Sequence, residues 1–213
     1  MMSTSDIETV KRRLRFDYVR VKHEPGSRAV EGITALAQHF HKQQLNIVEV
    51  IQEASDVIQR HFKLKWIMIG IKGKNDGLFR YTVMSGMHPD VWERQRKRTY
   101  RAEDFETSCG TYKFGEISEL TRVYLQEENP LYSEDEKKLV QRPVLLGSTR
   151  TSASETLEAD FIDTLIIGPG KTLLGWIEYS GTVGNEFPQP IVIREIEGYA
   201  AIIGAAMAIH MRQ

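Results

Sequence analysis

The stretch FIDTLIIGPGKTLLGWIEYSG, residues 161–181, decides the fold of this chain. Two apolar runs of strand length, 161–167 and 172–179, flank the turn sequence Gly-Pro-Gly-Lys. Such runs, bounded by glycine and proline, predict two strands that pair as an antiparallel hairpin. The turn lacks the first glycine of a GxxxxGK[ST] phosphate loop, because Leu165 stands at that position, and it leads into a strand. We therefore interpret it as a plain hairpin turn.

The segments around this hairpin predict the rest of a small α+β domain. Residues 191–211 predict a long closing helix, and residues 45–62 predict an amphipathic helix with its apolar side chains on one face. Residues 66–71 and 78–84 are short apolar runs on either side of an Asn-Asp-Gly turn, which is typical of a second hairpin. This order of elements predicts a central antiparallel sheet with helices from both chain ends.

The middle of the chain is less regular. We expect a short helix at residues 90–100 and an edge strand at residues 122–126. Ser133 and Glu136 have the spacing of a capping box and predict another short helix. Residues 148–158 have the composition of a mobile loop.

Three blocks of the sequence resemble the GAF family of sensor domains. They are residues 48–71 (VEVIQEASDVIQRHFKLKWIMIGI), residues 161–181, and residues 193–211 (IREIEGYAAIIGAAMAIHM). The resemblance implies a GAF/PAS-like α+β fold in residues 45–213, preceded by an N-terminal helical extension in residues 1–44. It implies that the terminal helices cover one face of the sheet, and that a ligand pocket lies on the other face under the variable middle. It also implies sensing rather than catalysis, and dimerisation through terminal helices.

The functional signatures known from particular GAF domains are missing. The Asn-Lys…Phe…Asp-Glu pattern of cyclic-nucleotide binders cannot be placed on this sequence. Bilin-binding members use a cysteine followed by histidine, whereas Gly110 follows Cys109 here. Members that reduce methionine sulfoxide need several cysteines, and this chain has one. The ligand and any cofactor therefore stay unknown at this point.

The composition is that of an ordinary soluble globular chain. Among 213 residues, 41% are hydrophobic and 27% are charged, and the formal net charge is −1. A net charge near zero gives no general attraction to nucleic acid or to an acidic membrane surface. The single cysteine excludes an intrachain disulfide, and the sequence has neither a signal-peptide core nor a membrane-length apolar run. We therefore predict a cytoplasmic protein that binds neither nucleic acid nor membrane.

The candidate ligand-binding residues are mostly aromatic and come from the strands and the variable middle. Alternation along the strand at 172–179 places Leu174, Trp176 and Glu178 on one face, which we expect to face the pocket. Leu173, together with the other odd-numbered residues of that strand, is then expected to pack under the helices. Alternation alone does not say which face of the strand at 78–84 meets the ligand. The full predicted set is Tyr81, Trp92, Arg96, Tyr100, Phe105, Tyr124, Trp176 and Glu178.

The densest run of positive charge lies in the expected roof of the pocket. It consists of Arg94, Arg96, Lys97, Arg98 and Arg101, between Trp92 and Tyr100. One interpretation is the solvated face of a short helix. A second is that an arginine pairs with a carboxylate or phosphate of the ligand. A nucleic-acid patch is disfavoured, because no recognition helix or RNA-reading motif accompanies the run.

Two residue types could support chemistry, and neither forms a recognisable motif. His39 and His41 are two residues apart, so they point to different faces of a helix, and no metal-ligand spacing accompanies them. Cys109 has no identifiable base to lower the pKa of its thiol. We expect no metal site and no catalytic residue. The alternative functions are a redox enzyme of GAF fold that uses Cys109, and a structural dimerisation module without a ligand.

The closing helix predicts a homodimer. One apolar stripe can lie on the sheet, and a second stripe has small side chains at helical spacing: Ala201, Gly204, Ala205 and Ala208. A helix that is apolar around most of its girth needs two partners. We predict that the helix at 191–211 forms the seam of a dimer, and that a signalling partner protein receives the output. The alternative is a monomer whose N-terminal helices cover this stripe.

Overall fold

A computed structural model describes residues 12–13, 25–42, 44–105, 112–131 and 133–212, and the side chains of residues 25–28 are outside that description. The helices are α1 (Pro25–Gln38), α2 (Ile47–Phe62), α3 (Pro89–Gln95), α4 (Glu134–Lys137) and α5 (Pro190–His210). The strands are β1 (Ile67–Lys72), β2 (Phe79–Ser85), β3 (Gly115–Glu116), β4 (Thr121–Tyr124), β5 (Phe161–Ile167) and β6 (Leu173–Tyr179).

The described strands form one antiparallel sheet in the order β2-β1-β6-β5-β4-β3. Both predicted hairpins are present, as β1–β2 and β5–β6, and they lie side by side because β1 pairs with β6. The expectation that residues 122–126 form an edge strand is wrong. β4 pairs with β5 on one side and with the two-residue β3 on the other.

The terminal helices pack on one face of this sheet. Helix α2 begins where the Asn46 side chain accepts hydrogen bonds from two free backbone N–H groups, and it ends at Lys63, whose φ of 53° is left-handed. Its apolar face and that of α5 share a continuous core with the sheet, which includes the fully buried Ile51, Ile196 and Ile203. We call this cluster the helix-side core. The predicted α+β class, with the helices on one face of the sheet, is confirmed.

Helix α1 belongs to the same core. Its Leu36 is fully buried there, and a Cβ added to Gly32 would overlap the Tyr199 side chain of α5. Helix α1 therefore covers the Tyr199 side of α5 and leaves Ala201 and Ala205 of the small-residue stripe exposed. The proposed boundary between an extension at 1–44 and a domain at 45–213 stays a prediction, because most of residues 1–24 lies outside the description.

Gly204 does not lie on the exposed stripe of α5 as the sequence suggested. A Cβ at this position would lie 2.5 Å from the backbone oxygen of Ile167, so Gly204 faces β5 at the point of closest approach. The glycine lets the helix sit tightly on the strand. The exposed apolar edge of α5 consists instead of Ala201, Ala205 and Ile209.

Two bulges reverse the side-chain alternation within the sheet. Between β1 and β2 the register moves from Ile69–Val83 to Gly70–Tyr81, so Thr82 is an extra residue. Val83 therefore joins the helix-side core, while Tyr81 points to the opposite face.

The second bulge lies between β5 and β6. The pairs Ile166–Gly175 and Ile167–Leu173 leave Leu174 unmatched. The expectation that Leu174 faces the pocket and Leu173 faces the helices is therefore wrong. Leu174 belongs to the helix-side core, and Leu173 packs against the other face.

The roof segment also differs from expectation. Helix α3 ends at Gln95 rather than near residue 100, because the chain returns to the sheet: Tyr100 and Phe79 exchange backbone hydrogen bonds of 2.9 and 2.8 Å. The predicted capping box at α4 is present, with Ser133 and Glu136 bonding reciprocally.

The loop at 148–158, expected to be mobile, is tied down by ionic contacts. Arg150 forms ion pairs with Glu127 at 2.8 Å and with the buried Asp160 at 2.9 Å. Asp160 in turn accepts the backbone N–H of Leu157 at 2.7 Å. The loop is therefore anchored to the body of the domain.

No helix in the described ranges is both long enough and apolar enough to cross a membrane.

Candidate functional site

A cavity of about 130 Å³ lies on the face of the sheet opposite to the helices. Its floor comes from β2, β5 and β6, and its roof from residues between α3 and β5. The lining residues are Trp66, Tyr81, Met87, Gln95, Arg98, Tyr100, Asp104, Phe105, Tyr112, Tyr124, Leu131, Glu136, Leu139, Val140, Glu158, Ala159, Phe161, Asp163, Trp176 and Glu178. Its volume is similar to that of an engineered cavity of about 150 Å³ that binds benzene. The cavity can therefore hold a small organic molecule.

Six of the eight predicted binding residues line this cavity. They are Tyr81, Tyr100, Phe105, Tyr124, Trp176 and Glu178. Trp92 packs against the outside of the aromatic cluster, and Arg96 is exposed and pairs with Glu93 at 3.3 Å. Because α3 ends at Gln95, the next turn of chain brings Arg98 to the cavity wall instead of Arg96.

Trp176 is the centre of the aromatic wall. Its indole lies over Gly70 of the neighbouring strand, where an added Cβ would lie 2.2 Å from the ring. The ring centroids of Tyr81, Phe105 and Tyr100 are 4.8, 5.0 and 5.4 Å from that of Trp176. These tilted and edge-to-face contacts are the favourable arrangements for aromatic pairs. The wall is therefore a packed unit, and a ligand would meet its edges and faces without opening it.

Two carboxyl groups lie side by side on the floor. Asp163 of β5 and Glu178 of β6 are direct cross-strand partners, and Arg122 of β4 is the partner of Asp163 on its other side. The Tyr81 hydroxyl donates a 2.6 Å hydrogen bond to Glu178 Oε2. None of the described hydrogen bonds reaches Asp163, and its buried Oδ1 has no partner. Arg122 is engaged elsewhere, since it donates to the Phe105 carbonyl and lies over the Phe114 ring.

Burial makes these acids hard to ionise. It raises the pKa of Asp163 well above the usual range, and the negative charge of Glu178 adds to the effect, while Arg122 opposes it. Burial likewise raises the pKa of Glu178, against the hydrogen bond from Tyr81 and the charge of Arg98. Two adjacent buried carboxyls resist holding two negative charges at once. The floor therefore favours a bound proton or another positive group.

The roof is connected by side-chain hydrogen bonds to backbone carbonyls. Gln95 donates to the carbonyl of Leu139 at 3.0 Å, and Arg94 donates to that of Lys138 at 3.2 Å. The Arg98 guanidinium lies 5.1 Å from the centroid of the Tyr100 ring. Helix α3 with the turn that follows it, and the segment around α4, therefore form one cover over the floor.

Sequence reasoning missed Asp163, Arg98 and several apolar lining residues. A signal for Asp163 existed: it is the single charged residue in the apolar run 161–167, and the hairpin register pairs it with Glu178. The position of Arg98 depends on where α3 ends, which the arginine-rich sequence leaves open. Cys109, the residue on which the redox alternative depends, lies outside the described residues, as does the rest of segment 106–111.

The fold is that of known GAF domains. The GAF domain of a phosphoenolpyruvate-protein phosphotransferase from Coxiella burnetii is similar, with a TM-score of 0.53 and 14% identity over 85% of this chain and 93% of that chain. The GAF domain/HD domain protein from Geobacter sulfurreducens is similar with a TM-score of 0.53 and 11% identity, over 78% of this chain and 94% of that chain.

An enzyme is also among the similar structures. The free methionine-R-sulfoxide reductase from Neisseria meningitidis, solved in complex with its substrate, has a TM-score of 0.51 and 8% identity, over 88% of this chain and 90% of that chain. No family model and no curated protein sequence matches this chain. At these identities the likeness concerns the fold alone, and this chain has the GAF fold.

Proposed function

We propose that this GAF-fold domain is a sensor that binds a small molecule in the cavity beneath the roof of residues 90–158. The observation that carries the proposal is the cavity itself, which has an aromatic wall and ionisable floor and lies on the face away from the helices. A purely structural module would fill this space with its own side chains. A cavity of about 130 Å³, lined by a buried carboxyl oxygen without a hydrogen-bond partner among the described residues, supports ligand binding instead.

The ligand is proposed to act on the roof. The two roof segments meet through hydrogen bonds, and both of them line the cavity. A ligand between roof and floor would contact both and would favour the arrangement in which the roof covers the floor. A coupling of about 1–3 kcal/mol between ligand and output state is typical of such switches.

The output is proposed to pass through a homodimer that uses α5. Ala201, Ala205 and Ile209 form an exposed apolar edge on this helix after α1 has covered its neighbouring side. Small side chains allow a second helix to approach closely. A signalling partner would then recognise the arrangement of the paired helices. We propose that this takes place in the cytoplasm, because the chain has one cysteine and no apolar run of membrane length.

A thermal-shift screen of amino acids, nucleotides, amines and organic acids tests ligand binding, because a ligand that binds only the folded state raises the melting temperature. Ala159→Phe is the matched variant. Ala159 lines the cavity and uses only its backbone N–H in a hydrogen bond, so the larger side chain fills the space and leaves that bond intact. We expect the hits to be lost in this variant. Hits that survive the filling, or no hit for the wild type, would contradict the proposal.

The proposed role is sensing rather than catalysis. The redox alternative requires Cys109, the one cysteine of the chain. Purified protein should show no thiol-dependent reduction of methionine sulfoxide, and Cys109→Ser should bind the screened ligands as the wild type does. Turnover that disappears in Cys109→Ser would establish the enzyme instead.

A further inference from the structure

The cavity carries an excess of acidic side chains. Five carboxyl groups and one guanidinium group line it: Asp104, Glu136, Glu158, Asp163, Glu178 and Arg98. A concave site lined mainly by one sign of charge attracts ligands of the opposite sign. The lining therefore disfavours a simple anionic ligand, which the arginine-rich roof sequence alone would have suggested.

Three of the five acids already have hydrogen-bond partners within the protein. Glu158 binds Arg142 through two side-chain hydrogen bonds of 3.0 and 2.8 Å. Asp104 accepts the backbone N–H of Arg101 at 2.7 Å, and Glu136 belongs to the capping box of α4. The negative charge that is left to a ligand therefore lies on the floor, at Asp163 and Glu178.

Each of these two floor acids can accept further hydrogen bonds from a ligand, because a carboxylate offers about four lone pairs. Asp163 is 6% exposed, and its Oδ1 has no hydrogen-bond partner among the described residues. Glu178 is 8% exposed and accepts hydrogen bonds from the Tyr81 hydroxyl and from the Trp176 indole. A buried polar oxygen without a partner costs free energy, and a donor from a ligand would remove that cost.

The surroundings favour an organic cation over a metal ion. The faces and edges of Trp176, Tyr81 and Tyr100 lie beside the acids, and aromatic faces attract ammonium groups. Among the described residues, no group of three or more His, Cys, Asp or Glu side chains is placed to hold a metal. Hard divalent cations require several oxygen ligands, which two carboxyls do not supply.

We infer that the ligand of this cavity carries a protonated amine, and that this ammonium group sits on the floor between Asp163 and Glu178 against the Trp176 side of the aromatic wall. Three N–H donors of a primary ammonium can satisfy both carboxyls and still face the rings. The inference rests on the proposed sensor function and names the ligand class. Its failure would leave that function standing with a different ligand.

The test compares three small probes of similar size in isothermal titration calorimetry at constant ionic strength. They are n-butylammonium chloride, 1-butanol and sodium butyrate. We expect the wild type to bind n-butylammonium at least about tenfold more tightly than the neutral and anionic probes, because only the ammonium satisfies both acids. Asp163→Asn combined with Glu178→Gln should lose this preference. Glu116→Gln, which removes an exposed acid on the edge strand β3, should keep it.

Each outcome of these titrations either supports or contradicts the ammonium assignment. An equal affinity for 1-butanol or butyrate, or a preference that survives in the double variant, would overturn the ammonium assignment. So would a complete lack of n-butylammonium binding to the wild type. If the double variant does not fold, Glu178→Gln alone serves, since it keeps the shape of the side chain. The sensor function itself would fall only if the wider metabolite screen also gave no hit that Ala159→Phe removes.

Discussion

The two faces of the central sheet carry different types of side chain. The face under the helices is covered mainly by aliphatic side chains, and buried hydroxyl groups there are paired, as in the 3.1 Å contact between the Thr121 and Thr164 hydroxyls. The opposite face carries aromatic rings around a cavity and buries Asp163, whose Oδ1 has no hydrogen-bond partner among the described residues. Residues that weaken a fold locally are typical of functional sites. The contrast agrees with the proposal that one face of the sheet supplies stability and that the other binds a ligand.

The largest expected effect concerns packing on the helix side. Ile203→Ala should lower the free energy of unfolding by about 2–5 kcal/mol, because Ile203 is fully buried and its removal leaves a void. Leu139→Ala, at the half-buried cavity wall, should cost about 1 kcal/mol or less. Urea unfolding followed by circular dichroism measures both. Equal losses would mean that the two faces contribute alike to stability.

The next largest effect concerns the contact between the Trp176 indole and Gly70. Gly70→Ala should lower the free energy of unfolding by about 1–3 kcal/mol and change the tryptophan fluorescence, because the new methyl group would overlap the indole. Gly147→Ala is the control, since an added Cβ there meets nothing within 4 Å. A wild-type spectrum and stability for Gly70→Ala would show that the wall is loosely packed.

A smaller effect is expected from the floor acids. Because the folded-state pKa of Asp163 is raised, folding is favoured by its protonated form, and that contribution is lost as pH rises above about 4 toward the folded-state value. Asp163→Asn should match the wild type near pH 4. At pH 7.5 it should be more stable by about 1 kcal/mol.

Urea unfolding between pH 4 and 8 gives this comparison as the difference between variant and wild type. The difference removes the opposing contribution of acids whose pKa values are lowered, such as Glu127 beside Arg150. A difference that stays constant across this range, or an asparagine variant that is less stable at pH 7.5, would show that Asp163 is well accommodated as a carboxylate.

The smallest effect on folding is expected on the exposed edge of α5. Ala201→Glu should change the free energy of unfolding by no more than about 0.5 kcal/mol, because Ala201 is exposed. It should nevertheless convert the proposed dimer to a monomer, as measured by sedimentation equilibrium. Lys74→Glu, in the exposed β1–β2 turn, should leave the dimer intact. A wild type that sediments as a monomer at high concentration would rule out the seam.

Much of this contrast could be predicted from the sequence. The β5–β6 hairpin and the two long helices follow from apolar periodicity and turn residues, and six of the eight predicted binding residues line the cavity. The sequence could not predict that Leu174 lies in the helix-side core and Leu173 on the opposite face. A bulge adds one residue to a strand without changing the type of residues that form it. The replacement of Arg96 by Arg98 at the wall follows from tertiary pairing between Tyr100 and Phe79, which overrides a helix-compatible sequence.

The bulge at Thr82 has a consequence for how pockets of this kind diversify. It is the odd residue that turns Tyr81 toward the cavity while Val83 stays under the helices. Deleting it would rotate the outer end of β2 by one step and exchange which side chains meet the ligand, with every other residue type unchanged. Strand length therefore affects ligand choice independently of side-chain type, and two chains that differ by one bulge residue could present different surfaces to the same molecule.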